Sequence, residues 1–365
     1  MEQASITVHE LDYSEMGQWD AFVEACEQAT FFHLSGWKRV IERSFGHKTF
    51  FLYAKKDNKI QAILPLGHIN SILFGSALIS LPFCVYGGIA AVNDEARVAL
   101  EVAANELANN LGVDHLELRN QELGKHQLQN SNLNNFRLQA SVLQKNDWIT
   151  KELYVTFKKK IDPDPEKNLL AIPRKQRAMV RKGIKEDLKT EIDNTHDRLY
   201  NVYSESVHNL GTPVFPKNYF KELKAGFGDA CEILIVTKQN TVVSGVMSFY
   251  FRNEVLPYYG GGNHLARGCK ANDFMYWELM RRASEKGIQV FDFGRSKIGT
   301  GSYNFKKNWG FEPKPLHYEY KLIKAKELPD INPLNPKYQF FIKLWKRMPL
   351  SMSRFIGPMI AKDLG

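Results

Sequence analysis

Glu232-Ile233-Leu234-Ile235-Val236 runs through the polar turn Lys238-Gln239-Asn240 into Val242-Val243-Ser244-Gly245-Val246-Met247-Ser248-Phe249. Two runs of strand formers joined by a short polar turn read as a β-hairpin. The same unit occurs earlier in the chain. There Phe50-Phe51-Leu52-Tyr53-Ala54 leads through Lys55 to Lys59 into Ile60-Gln61-Ala62-Ile63-Leu64-Pro65-Leu66. The segments downstream of the two hairpins repeat as well. Tyr86-Gly87-Gly88 precedes a helical stretch from Asp94 to Asn110, then Gly112-Val113 and the strand Leu116-Glu117-Leu118-Arg119. Tyr259-Gly260-Gly261 precedes a helix from about Ala271 to Lys286, then Gly287-Ile288 and the strand Val290-Phe291-Asp292-Phe293-Gly294-Arg295. The Tyr-Gly-Gly elements lie 173 positions apart and the strand-end arginines 176 apart, so four ordered elements keep their spacing.

Each half therefore reads helix, helix, hairpin, strand, helix, strand, with a helix crossing between parallel strands. The leading helices are Glu15 to Gln28 and Ser35 to Ser44 in the first half, the latter opened by Ser35 as N-cap. Their counterparts are Asp197 to Asn209 and Pro216 to Gly226. The expected class is α+β: two tandem domains, each a mixed β-sheet flanked by helices. A length of 365 residues suits two domains. The expected boundaries are 1–157, 158–325 and a basic, apolar tail at 326–365. Lys158 to Asp164, with Pro163 and Pro165, reads as the linker.

Hydrophobic residues make up 44% of the chain and charged residues 24%, which excludes a largely disordered protein. The net charge of +9 points to an anionic partner. The longest apolar stretch, Ser71 to Val92, is broken by Gly75, Pro82, Gly87 and Gly88, so it reads as strands and turns rather than a membrane span. The N-terminus has neither a basic nor an apolar leader region, and a cytoplasmic location is expected. Four scattered cysteines and ten histidines without ligand spacing predict no metal site.

Trp37-Lys38-Arg39-Val40-Ile41-Glu42 with Phe45-Gly46-His47, Tyr259-Gly260-Gly261, the run Phe291 to Lys297, and Phe305-Lys306-Lys307-Asn308-Trp309-Gly310-Phe311 resemble the FemAB family. Phe291 to Tyr320 is similar to the branch found beside exosortase and PEP-CTERM exopolysaccharide gene clusters. The resemblance spans nearly the whole chain. It implies two GNAT-like domains and transfer of an acyl or aminoacyl group to an amine. It also implies no tightly bound cofactor, with acyl-CoA or aminoacyl-tRNA as co-substrate. The second domain has no long charged heptad segment like the helical arm of some tRNA users.

Such a transfer needs a donor pocket, a hold on anionic groups and polarisation of a carbonyl. In GNAT enzymes a splayed strand and the following helix N-terminus hold the donor pyrophosphate. Tyr259, Gly260 and Gly261, followed by Arg267, Gly268, Lys270 and Asn272, occupy that place here. A glycine turn into a capped helix is the alternative. The first half's counterpart puts Asp94 and Glu95 at the helix start, which disfavours phosphate, so the donor site is expected in the second half. Lys306 lies in the family's Phe-Lys motif, where the resemblance implies a cation for a substrate phosphate or for the negative oxygen formed in transfer. Asp292 is the carboxylate candidate for general base, with Tyr303 as a further catalytic candidate and His264 a lesser one. Asp292 alternates with Phe291 and Phe293, and a buried aspartate holding a loop is the competing reading.

Arg295, Lys297 and Trp37 are candidate substrate contacts, as are Arg174, Arg177 and Arg181 on the basic helix that opens at Pro173. Expected partners are an acyl donor and an anionic envelope or polysaccharide precursor, with tRNA as a further candidate. The tail, Tyr338 to Gly365, is either a membrane-surface helix at the inner membrane or packing onto the second domain. The rival for the whole chain is an inert GNAT-derived scaffold that binds anionic envelope precursors or partner enzymes.

Overall fold

The computed structural model describes residues 5–120, 148–328 and 336–365. The chain divides into two units. One is Met1–Glu152 with Leu316–Asp330 and Asp363–Gly365; the other is Leu153–Pro315 with Ile331–Lys362.

The first unit contains β1 (Thr7–Glu10), α1 (Met16–Ala25), α2 (Gly36–Phe45), β2 (Lys48–Lys56), β3 (Lys59–Ser71), β4 (Gly75–Ser80), β5 (Ala90–Ala91), α3 (Asp94–Leu111), β6 (His115–Asn120) and β7 (Trp148–Lys151). The second contains β8 (Tyr154–Lys160), α4 (Pro165–Ala171), α5 (Arg174–Lys185), β9 (Leu188–Asp193), α6 (Asp197–Leu210), α7 (Lys217–Phe227), β10 (Cys231–Lys238), β11 (Thr241–Phe251), β12 (Glu254–Gly262), α8 (Ala271–Glu285), β13 (Val290–Lys297), α9 (Gly301–Asn308) and β14 (Lys314–Pro315). After β14, β15 (His317–Leu322) returns to the first unit, and α10 (Pro336–Arg347) and α11 (Leu350–Ala361) belong to the second.

The repeat is realised along a seven-strand path in each sheet. The first sheet has the order β1-β2-β3-β4-β6-β15-β7, with β5 paired to β3 off that path; the second, read from its other end, runs β9-β10-β11-β12-β13-β8-β14. In each sheet a hairpin leads to a parallel pair, β4 with β6 and β12 with β13. The long helix between those parallel strands is α3 in one unit and α8 in the other. The two hairpin turns share their backbone: Asp57 and Asn58 have φ of 48° and 61°, Gln239 and Asn240 of 49° and 62°. Two consecutive left-handed residues match the twist of paired strands, and Asn and Asp tolerate them best.

The sixth strand of each sheet comes from the far side of the chain. β15 lies beside β6, and β8 lies beside β13. This corrects the expected linker. Lys158 to Lys160 lie in a strand whose Val155, Thr156 and Phe157 are buried, and Asp164 accepts a hydrogen bond from the N–H of Glu166 to open α4. The second unit thus begins at Leu153 rather than 158, and residues from Leu316 to Asp330 lie with the first. The Tyr-Gly-Gly elements also differ. Tyr259-Gly260-Gly261 lies inside β12, whereas Tyr86-Gly87-Gly88 falls between β4 and β5.

The glycines of β12 answer to packing. A Cβ on Gly261 would lie 2.6 Å from Cβ of Ser206 and 3.3 Å from Cα of Tyr203, both on α6. The helix rests directly on the strand backbone. Gly261→Ala is therefore expected to cost about 1–3 kcal/mol through overpacking. Urea unfolding of the variant against wild type measures it, and an unchanged midpoint contradicts the close approach.

Candidate functional site

β12 and β13 are neighbours in the second sheet, yet their parallel register covers only Glu254 opposite Val290 and Val255 opposite Phe291. Beyond those positions β12 continues along β11 to Gly262, while Arg295, Ser296 and Lys297 of β13 pair with β8. Two parallel strands that part toward their C-terminal ends open a cleft where ligands of α/β sheets bind.

β13 carries a bulge at that opening. Its register against β8 shifts between Asp292 and Arg295, and Gly294 has φ of 65°. The bulge is held from both sides. Oδ1 of Asp292 accepts the N–H of Gly294 at 2.7 Å, and Nζ of Lys306 donates to the carbonyl oxygens of Gly294 at 3.0 Å and Arg295 at 2.9 Å. Asp292 is 1% exposed and Lys306 9%. Lys158 lies 3.4 Å from Oδ2 of Asp292 and 2.9 Å from Glu254.

Burial pushes the Lys306 ammonium down to about 7, against the pull of Asp292 and with some help from Arg295. Lys158 behaves in the opposite way. Burial works against its charge, but the Asp292 and Glu254 carboxylates overcome it and leave its pKa raised. One buried carboxylate thus serves two lysines of different character. An ammonium has three donors, and two of those on Lys306 are taken by the backbone.

The residues around Lys306 form one aromatic cluster. Tyr276 of α8 meets Phe293 at 5.0 Å and Phe305 at 5.6 Å between ring centroids, and Phe293 meets Phe311 at 4.6 Å. Nε1 of Trp309 points to Oδ1 of Asp273 at 3.4 Å. The two motif runs are therefore packed against each other, with the lysine on the helix and the bulge on the strand. Tyr303 is partly buried, and its ring lies 5.5 Å from that of Phe157. Arg295 places its guanidinium 4.7 Å from the ring of Tyr154. Lys297 is buried, at 8% exposure.

A second group gathers at the start of α8. Lys270 has a left-handed φ of 60°, no side chain caps the helix, and Nζ of Lys270 turns back to the carbonyl of Arg267. Arg267 and Gly268 are exposed. The basic helix α5 packs against this end of α8: a Cβ on Gly183 would lie 2.8 Å from Cβ of Phe274. That contact and the burial of Val180 leave Arg174 and Arg181 exposed on the outer face. Arg177 instead donates to the carbonyl of Leu170. Gln176 donates to Asp273, whose carboxyl is pushed up by burial. Oδ1 of Asn272 is buried with no hydrogen-bond partner among the described residues. Beside this turn a cleft of about 380 Å³ is lined by Glu186, Lys238, Thr241, Leu265, Gly268 and Cys269.

Other candidates fall elsewhere. Tyr259 is buried, and its hydroxyl shares a 2.8 Å hydrogen bond with Tyr219. Gly260 and Gly261 lie in the body of β12, where α6 and Tyr276 occupy the space a side chain would need. His264 is exposed and lies 3.2 Å from Glu205. Trp37 is fully buried, and its Nε1 donates to the carbonyl of Phe31, so it is a core residue of the first unit and not a substrate contact. The neighbouring Lys38 is buried too, ion-paired with Glu42 at 3.1 Å and bonded to Oγ1 of Thr49. At the start of α3, Asn93 caps the N–H of Ala96, and Asp94 and Glu95 occupy the first turn. The asymmetry between the helix starts is therefore present in the fold. Thr156 and Lys158 complete the Asp292 cluster; Lys158 fell within the expected linker, although Val155 and Phe157 just before it are apolar residues at strand spacing.

Residues 172–307 match the family described as Acetyltransferase (GNAT) domain. No curated relative matches the sequence. Among solved structures, FemX is similar with a TM-score of 0.65 and 16% identity, over 92% of this chain and 100% of that one. L-PGS from Bacillus licheniformis matches with a TM-score of 0.52 and 13% identity, over 93% and 99%. A tandem GNAT protein from the clavulanic acid biosynthesis pathway matches with a TM-score of 0.51 and 12% identity, over 89% and 100%. The fold is therefore a tandem of two GNAT-like domains similar to FemX. The matched domain is of an acyltransferase type, and the solved structures share the fold.

The position of Lys306 makes stability depend on pH. Its native pKa is lowered to about 7 from 10.5. Between those values the unfolded chain binds more protons than the native one, so native stability rises with pH. Relative to Lys306→Met, wild type is expected to gain unfolding free energy as pH rises from about 7 toward 10.5. Denaturant titrations of both proteins across that window check it; a constant difference contradicts the depressed lysine.

Proposed function

We propose that this protein is a cytoplasmic FemAB-type transferase that moves an acyl group from acyl-CoA onto an amine of a cell-envelope or exopolysaccharide precursor. The observation that carries the reading is the Lys306 ammonium, clamped at the bulge where β12 and β13 part. Acyl-CoA is preferred to aminoacyl-tRNA because residues 172–307 match an acetyltransferase domain. The similarity of Phe291 to Tyr320 to the exosortase-associated branch favours an exopolysaccharide acceptor.

In this reading the donor pyrophosphate lies at the start of α8, met by the backbone N–H groups of its first turn and by Arg267 and Lys270, with Arg174 and Arg181 of α5 drawing anions toward it. Asn272 supplies a polar contact beside them. Asp94 and Glu95 leave the matching position of the first unit unsuited to phosphate, which fits an acceptor-binding or structural role for that unit.

The acceptor's free amine attacks the thioester carbonyl carbon, and the C–N bond forms as the carbonyl π electrons move to oxygen. The third donor of Lys306 stabilises that negative oxygen. Collapse of the intermediate breaks the C–S bond and expels the CoA thiolate, and the surplus proton of the attacking nitrogen leaves to thiolate or water. Asp292 acts as a positioning residue, because its carboxylate already holds the Gly294 N–H and faces Lys158. Arg295, Lys297 and Tyr303 border the opening as candidate contacts to the acceptor.

Lys306→Met is expected to lower kcat/KM by about 10²–10³-fold, the cost of losing one oxyanion donor. The wild-type profile should fall as pH rises through about 7, where Lys306 loses its proton. Steady-state kinetics with acyl-CoA and an amine acceptor measure both. A profile that only rises through neutrality contradicts a cationic role. Donor binding without turnover, together with a biological role that survives Lys306→Met, favours the scaffold; thermal stabilisation by aminoacyl-tRNA but not acyl-CoA reverses the choice of donor.

A further inference from the structure

The two C-terminal helices leave many of their large apolar side chains facing outward. α11 buries Ser353, Gly357 and Ala361, a small-residue face at four-residue spacing. That face lies against the rest of the second unit. A Cβ on Gly357 would lie 2.9 Å from the backbone nitrogen of Val214, and Arg354 donates to Oγ of Ser204 and the carbonyl of Asn201 on α6. The large apolar residues Met352, Phe355 and Met359, at spacings of three and four, face outward, with Phe355 72% exposed. α10 repeats the arrangement. Trp345 is buried, and Ile342 and Lys346 approach Gly211 at the end of α6, while Phe340, Phe341 and Leu344 are exposed by more than half.

The packing alternative for the tail is thus realised on one side only, and the other side is an apolar face that nothing among the described residues covers. Its electrostatic setting is one-sided. From Ile331 to Lys362 the chain has no acidic residue, and it has six basic ones, including Lys343, Lys346 and Arg347, which are exposed on α10. Among the described residues, no helix is long and apolar enough to cross a membrane. Exposed aromatic and Met side chains beside exposed cations, on helices of 12 residues each, are the composition of a segment that lies in a lipid interface.

We infer that α10 and α11 form an interfacial anchor that rests on an anionic membrane. Phe340, Phe341, Leu344 and Phe355 enter the acyl boundary, and Lys343, Lys346 and Arg347 meet the lipid phosphates. A protein partner with an apolar groove would satisfy the aromatic residues without requiring an acid-free segment, so the charge favours lipid. The inference does not depend on the transferase reading, because its readout is partitioning.

The test is co-sedimentation of the full chain with phosphatidylglycerol-rich vesicles and with pure phosphatidylcholine vesicles. Wild type is expected to bind the anionic vesicles and to release as salt rises from about 0.1 M to about 0.5 M. Replacing Lys343, Lys346 and Arg347 together with Gln should weaken partitioning on the order of a hundredfold. Phe340→Ser with Phe355→Ser should weaken it by at least about tenfold even at low salt. Phe340, Phe355, Lys343 and Arg347 are exposed and Lys346 lays its stem near Gly211, so thermal melts establish that the variants fold; the salt series on wild type stands if one does not. Equal binding to both vesicle types, no binding to either, or a concentration-dependent dimer that requires Phe340 and Phe355 would overturn the proposal.

Discussion

The second unit depends on how its bulge is held. Gly294 adopts a left-handed φ in the middle of a strand, a conformation that costs most other residues about 1–2 kcal/mol. Its N–H is taken by Asp292 and its carbonyl by Lys306, both buried. An unmade hydrogen bond at any of these groups would carry a desolvation penalty, so the three residues require one another. The bulge displaces the end of β13 relative to its partner β8, and the strand parts from β12 at the same level. The opening in the sheet and the lysine beside it therefore share one origin.

A buried lysine is tolerated here because its surroundings are graded. Two carbonyl oxygens and the field of Asp292 favour its charge, while burial opposes it, and the balance leaves it poised near neutrality. Asp292 retains its own charge partner in Lys158, which bridges to Glu254 at the edge of the cluster. The aromatic side chains on either side of Asp292 and Lys306 pack α9 against β13. This is why the motif alternates aromatic and polar residues: the rings supply the packing, and the polar groups between them reach the strand backbone.

Much of the fold was legible in the chain. The polar turns Lys55 to Lys59 and Lys238 to Asn240 between runs of strand formers announce two hairpins, and the helix and strand after each keep their spacing. The exchange of β8 and β15 was not legible, because strand pairing over such separations leaves no local pattern. Lys158, Lys159 and Lys160 looked like a solvated linker, although Val155 and Phe157 alternate into the core. At the site, it was the family resemblance, not composition, that singled out the basic turn at Arg267 to Lys270 and the lysine of the Phe-Lys run. The facing of Asp292 was beyond reach, since a bulge two residues later resets the two-residue period on which such an assignment rests. Trp37 misled for a related reason: a tryptophan in a motif is as often its packing as its chemistry.

The central claim is that a neutral-poised Lys306 stands where the donor's acyl group arrives. The most direct measurement follows the ε-carbon resonances of lysine in ¹³C-labelled protein, assigned through Lys306→Met, as pH is varied with and without acyl-CoA. The account predicts one lysine titrating near 7, moved upward when the anionic donor binds. A Lys306 that titrates near the ordinary 10.5 and ignores the donor would contradict it.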